Sequence, residues 1–101
     1  MLVEFHPSAS QELEAASSFY EGRRPGLGEE LADEIEEVCL LLSEYPAIGR
    51  KVDDLHRSVP LRRFPFILFY RVLGTVVQII AVAHKRKRPG YWRRRSEQPG
   101  R

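Results

Sequence analysis

The sequence predicts an α+β domain in which a helical hairpin packs on a mostly antiparallel sheet, in the order β-α-α-β-β-β. Three observations predict it. Two segments in the first half repeat apolar residues every three or four positions. The second half instead holds short apolar runs broken at Pro60, Pro65 and Gly74. Finally, 101 residues suffice for one small domain and are too few for two.

Leu2–Phe5 alternates weakly and reads as an opening strand, which Pro7 ends. Ser8 followed by Gln11 is a capping-box pattern, worth roughly 1 kcal/mol to a helix start. Ala9, Leu13, Ala16 and Tyr20 then recur at helical spacing, with Phe19 thickening the stripe, so a helix should run to about Glu21. The stretch GRRPG (Gly22–Gly26) supplies a turn. Leu27, Leu31, Ile35, Val38, Leu42 and Tyr45 mark a second helix, which Pro46 ends. Its other face carries Glu29, Glu30, Asp33, Glu34, Glu36 and Glu37, and acids in a first turn suit the helix dipole. Neither stripe can form a core alone, so both helices need the sheet.

Pro46–Leu55 reads as a loop. Val59 and Leu61 alternate with polar neighbours, and Pro60 and Pro65 confine that strand to an edge or mark bulges. Phe66–Val72 is almost wholly apolar and should be central. Leu73-Gly74-Thr75 is a turn signal, and Val76–Ala83 returns antiparallel. The domain is expected to span residues 1–95, with 96–101 a disordered tail.

Composition narrows the function classes. The run Phe64–His84 has the length of a membrane span, but Arg71, Gln78 and Gly74 divide it into two halves of strand length. A buried hairpin explains it, and no membrane partner is expected. Arg71 itself, at the turn end of its strand, should snorkel to water. Cys39 is the single cysteine, so no internal disulfide forms; it reads as a small buried apolar residue in a reducing, cytoplasmic setting. The start, MLVEFHPSAS, does not read as a signal peptide. His6, His56 and His84 are scattered and show no metal-ligand spacing, and no cofactor is expected. Residues 1–49 carry eleven acids and two bases, a balance of −9; residues 50–101 carry fourteen bases and three acids, a balance of +11. Such a polar field steers partners.

The stretch AHKRKRPGYWRRR, residues 83–95, concentrates that positive charge. Lys85, Arg86, Lys87, Arg88, Arg93, Arg94 and Arg95 could bind an anionic surface, with Tyr91 and Trp92 stacking on a base. Alternatively they form a solvated tail, with Trp92 folded back on the sheet as core. His84 closes the last strand, where a structural hydrogen bond is expected of it. Leu40, Leu41 and Ile48 are left over from the core stripe and could seat a partner helix.

His56–Arg95 resembles the RelE/ParE superfamily of type II toxin–antitoxin toxins. The match lies in FPFILFYRV, in IIAVAH and in the ending formed by His84, Arg88, Pro89, Tyr91, Trp92 and Arg95; the YPAIGR loop (Tyr45–Arg50) agrees with it. The resemblance implies a toxin neutralised by a cognate antitoxin whose amphipathic C-terminal segment wraps it. On the ParE-like side, which RRFPFILFYRV and AVAHKRKRPGYW favour, it implies binding and poisoning of DNA gyrase without catalytic residues. The basic end and His84 would then meet target or antitoxin, and Leu40, Leu41 and Ile48 the antitoxin helix. On the RelE-like side it implies cleavage of mRNA on the ribosome, with Arg62, Arg63, Lys85, Arg86 and Tyr91 pressed into catalytic roles. A non-toxic nucleic-acid or protein interaction module is the third alternative.

Overall fold

The computed structural model describes residues 1–97. Strand β1 (Leu2–Phe5) leads into helix α1 (Pro7–Arg23) and helix α2 (Leu27–Glu44). Strands β2 (Arg50–Lys51), β3 (Arg57–Pro60), β4 (Phe66–Leu73) and β5 (Val76–His84) follow, and a 3-10 turn spans Arg93–Glu97. The five strands form one sheet in the order β1-β5-β4-β3-β2. Among the described residues β1 and β5 pair in parallel, Leu2 opposite Val76 through Phe5 opposite Ile79, and the other three pairs are antiparallel. The fold is therefore the α+β layer that the patterning predicts.

Both helices lie on one face of the sheet. Ala9, Ala16, Leu31, Ile35 and Leu42 meet Leu68, Tyr70, Val77, Ile79 and Val82 in the main core. The helices touch closely because Gly28 lacks a side chain: a Cβ there would stand 2.4 Å from the Ser17 carbonyl oxygen. The hairpin joining β4 to β5 needs only Gly74 and Thr75, and Gly74 sits at φ 57, a region that favours glycine. Among the described residues no helix is long and apolar enough to cross a membrane. The apolar run 64–84 is the β4–β5 hairpin.

Several local expectations are corrected. His6, not Ser8, is the N-cap of α1: its Nδ1 accepts the Ser8 N–H at 3.0 Å, and Pro7 occupies the first turn, where no N–H is needed. The loop 46–55 contains β2, paired through Arg50 with Ser58 and Lys51 with Arg57. Phe19 does not thicken the core stripe but lies 55% exposed. Glu34 does not share the solvated acidic face. It is 8% exposed and accepts the N–H groups of Arg62 at 2.5 Å and Arg63 at 3.2 Å, closing the β3–β4 connection. Arg71 does not snorkel free: its Nε donates to Gln78 Oε1 at 2.9 Å and its guanidinium to the Ser96 carbonyl at 3.1 Å. Ser96 and Glu97, expected in a disordered tail, belong to the 3-10 turn, and residues 98–101 lie outside the described residues.

One irregularity shapes the functional end. The β4–β5 register steps from Phe69 opposite Ala81 to Tyr70 opposite Ile79, so Ile80 is an extra residue on β5. The bulge places Ile80, Ala81 and Ala83 in a second apolar cluster with Trp92, while Val77, Ile79 and Val82 join the helical core. Both faces of β5 are thus buried.

Candidate binding cleft and C-terminal strap

Beyond Ile79, β5 has no strand among the described residues on the side where β1 ran. Its backbone groups there are met by side chains. Glu12 of α1 accepts the Val82 N–H at 2.9 Å, and Arg95 donates to the Ile80 carbonyl at 3.0 Å. The two side chains also bind each other, with Arg95 nitrogens 2.9 Å from each Glu12 carboxylate oxygen. This bidentate pair is mostly shielded, at 17% and 21% side-chain exposure. Tyr91 completes the arrangement, its hydroxyl donating to Glu12 Oε2 at 2.6 Å.

The residues that make this clasp come from opposite ends of the chain. Helix α1 is anchored by Ala9 and Ala16, which turn Glu12 toward the rim of β5. On the other side, Pro89 and Gly90 (φ 77) reverse the chain after β5. The segment Tyr91–Ser96, a strap across the second face of the sheet, then packs down. Trp92 is its peg: 1% exposed, stacked on Phe69 with ring centroids 4.4 Å apart, and edge-on to His56 at 4.7 Å.

Electrostatics fix the protonation states. Burial alone would raise the Glu12 carboxyl, but hydrogen bonds from Arg95, Tyr91 and Val82 outweigh it and hold its pKa below the ordinary value. Burial, then the bond to the Glu12 carboxylate, pushes the Tyr91 hydroxyl well above the usual tyrosine range. At neutral pH Glu12 is a saturated carboxylate and Tyr91 a committed donor. Neither is poised to move a proton.

Beside the clasp opens a cleft of about 480 Å³, walled by Phe19, Tyr20, Phe66 and Tyr91, floored by Ala15 and Ala16, and rimmed by His84 and Lys87. His84 is held in place: its Nδ1 accepts the Arg86 N–H at 3.0 Å and its ring packs edge-on to Phe66 at 5.1 Å. Lys87 lies over the Tyr91 ring, Nζ 5.2 Å from its centroid. Lys85, Arg86, Lys87 and Arg88 are all exposed on the turn after β5, and Lys87 reaches the cleft. An apolar slot with a cationic rim can take an aromatic or aliphatic anchor from an acidic partner.

The structure splits the basic stretch that sequence alone treats as one cluster. Lys85–Arg88 face solvent. Arg93 bonds Asp53 Oδ2 at 3.1 Å and lies over Trp92, and Arg95 turns inward to Glu12. Arg94 remains exposed. Of the two readings of Trp92, stacking on a base or folding back on the sheet, the structure shows the second: Trp92 is core. The proposed catalytic set does not assemble either. Arg63 pairs with Glu30, and Arg62 and Arg63 line a different cleft with Asp33, Glu34 and Glu37 of α2. Lys85 and Arg86 lie on the turn, while Tyr91 points to Glu12. Leu40, Leu41 and Ile48 are exposed, as is Tyr45, giving the end of α2 an apolar surface.

Glu12 escaped sequence reasoning because an acid on an amphipathic helix looks solvated. Its only sequence signal is indirect: Tyr91 and Arg95, four apart, require an acceptor if they face the sheet.

The model of the family described as ParE toxin of type II toxin-antitoxin system, parDE, matches residues 3–89. Among solved structures, a chain described as the chromosomal ParDE TA system from P. aeruginosa is similar, with a TM-score of 0.72 at 24% identity. The similarity covers 83% of this chain and 95% of that one. No curated protein sequence matches.

Proposed function

Because the chain belongs to the ParE toxin family of type II toxin–antitoxin systems, we propose that it arrests growth by binding and poisoning DNA gyrase and that a cognate antitoxin neutralises it. The observation that carries the binding mechanism is the state of Tyr91. A transesterification of RNA needs a base for the 2′-hydroxyl, cations for the phosphorane and a donor for the leaving oxygen. Here the one tyrosine near the basic end is locked on Glu12 with its pKa raised, Arg63 pairs with Glu30, and Arg62 lies with it along a different cleft. What stays free is a cationic rim on an apolar cleft, which suits a partner held by contact.

In this mechanism the strap fixes the reach of the basic turn. Trp92 and the Glu12–Arg95 pair pin the chain just after Pro89, so Lys85–Arg88 project from a rigid base and need not be ordered on binding. The antitoxin's amphipathic segment would cover the exposed Leu40, Leu41 and Ile48, on a different part of the surface from the basic turn. The cytoplasm, where gyrase works, is the expected setting.

The test is inducible expression with two readouts. Loss of gyrase supercoiling in vitro with intact transcripts in cells is the expected result. Mapped transcript cuts with normal supercoiling would replace this reading with ribosome-dependent mRNA cleavage. Unimpaired growth would leave an interaction module without toxicity.

A further inference from the structure

Asp53, His56 and Ser96 meet on the strap side of the sheet, and the toxin reading uses none of them. Asp53 Oδ1 lies 2.9 Å and Oδ2 3.1 Å from His56 Nδ1. The Leu55 and His56 N–H groups, each at 2.8 Å, and Arg93 Nε at 3.1 Å orient that carboxylate. Burial would push the Asp53 carboxyl up, but these bonds outweigh it and hold its pKa far below the ordinary value. An ionised carboxylate only accepts, so in the neutral imidazole the proton sits on Nδ1 and Nε2 is bare. Nε2 is 2.5 Å from Ser96 Oγ, forty residues away in sequence, and the serine hydroxyl must be the donor. The base is itself 4% exposed, with Trp92 against its ring.

We infer that Ser96, His56 and Asp53 form a nucleophilic serine site for acyl transfer from small carboxylic esters. The arrangement meets the geometric requirements in turn: a nucleophile bonded to its base, and the base bonded to an orienting carboxylate. A cation stands at the serine as well, since Arg71 donates to the Ser96 carbonyl at 3.1 Å while Gln78 holds its Nε. A cleft of about 410 Å³ runs along Asp53, His56, Arg57 and Arg71, with Leu55 and Val72 as apolar wall; Ser96 is not part of that lining but bonds to two residues that are, His56 and Arg71. That volume suits a short acyl chain.

In the reaction Ser96 Oγ adds to the ester carbonyl carbon as its proton passes to His56 Nε2. The tetrahedral intermediate then expels the alkoxide, which takes that proton and leaves as the alcohol. Water next adds to the acyl carbon and gives a proton to Nε2, and Ser96 Oγ recovers a proton from it as the carboxylic acid departs. Asp53 stays ionised throughout and stabilises the imidazolium each time it forms.

The proposal is independent of gyrase poisoning and has its own test. The full chain is treated with an alkyl fluorophosphonate and the adduct mapped by peptide mass, while p-nitrophenyl acetate hydrolysis is followed against pH. One phosphonyl group on Ser96 is expected. His56→Gln should lower hydrolysis about 10²–10⁴-fold, and Ser96→Ala should reduce it to background. Trp92 fluorescence is read in every variant, because His56 supports that ring; Ser96→Ala is expected to keep the native emission. Absence of a Ser96 adduct on the unaltered chain overturns the proposal and leaves the network as a structural pin. So does labelling that persists unchanged in His56→Gln.

Discussion

The two faces of the sheet are closed by unlike means. On one side α1 and α2 bury Ala9, Leu31, Ile35 and Leu42 against Leu68, Tyr70, Val77 and Ile79, and the closure is apolar and broad. On the other, the strap Tyr91–Ser96 covers Ile80, Ala81 and Ala83 with a single large ring and is fastened at its margins by polar groups. One fastening is Glu12 with Tyr91 and Arg95; the other is Asp53 with His56 and Arg93, joined by Ser96. A broad apolar face spreads its stability over many side chains. A peg with two pins concentrates it in a few, so the strap face should yield first to single substitutions and to acid.

Trp92→Ala should have the largest effect. It removes a fully buried indole and the stacking on Phe69, a loss of about 3–5 kcal/mol in denaturant unfolding. The sharper test is spatial. Amide exchange should accelerate in the second half of β5 and in the strap, while Leu31 and Ile35 on α2 keep their protection. Uniform acceleration over the molecule would erase the distinction between the faces.

Glu12→Ala comes next, at about 2–3 kcal/mol, because it strands a shielded guanidinium and leaves the Val82 N–H without its acceptor. The same group sets an acid limit. Its folded pKa lies below the ordinary carboxylate value of 4.5, so its contribution is complete above about pH 4.5 and is lost as pH falls through the folded value. Asp53, also held low, acts in the same direction. Trp92 fluorescence should therefore change in acid before the helical signal does, and Glu12→Gln should shift that transition. On the helical face, Glu34→Ala should cost less, about 1–2 kcal/mol, through the unmet N–H groups of Arg62 and Arg63. Thermal unfolding would rank the three.

The contrast also explains what the sequence made legible. The helical face was readable because its contacts obey a period: Leu31, Ile35 and Leu42 recur as a stripe, and Phe66–Val72 alternates against them once buried. The hairpin was readable from Gly74 and from the lengths of its two runs. The strap face has no period. A bulge at Ile80 resets the alternation of β5, a two-residue β2 carries no pattern, and Glu12 and Glu34 look like any solvated acid until their partners arrive from distant segments. Tertiary pairing of single polar side chains leaves no local trace. For the same reason, seven cations close in sequence looked like one surface, although Arg93 and Arg95 are spent on Asp53 and Glu12.

The smallest expected effect on stability has the most bearing on function. Lys85, Arg86 and Arg88 are exposed on the turn, and no ion pair holds them among the described residues. Replacing all three by Ala should leave unfolding within about 0.5 kcal/mol per site of the parent. If they meet the toxin's target, the same variant should lose growth arrest and gyrase inhibition, and the remaining binding should depend less steeply on salt. Arg95→Ala reverses the pattern: it should destabilise the strap measurably while its effect on the target follows only from the displaced turn. A second substitution that re-docks the strap should then restore activity, whereas none should rescue the triple variant. Equal loss of stability in both variants would mean that the turn and the strap are one structural unit, and that the cations beside Pro89 serve folding before they serve a partner.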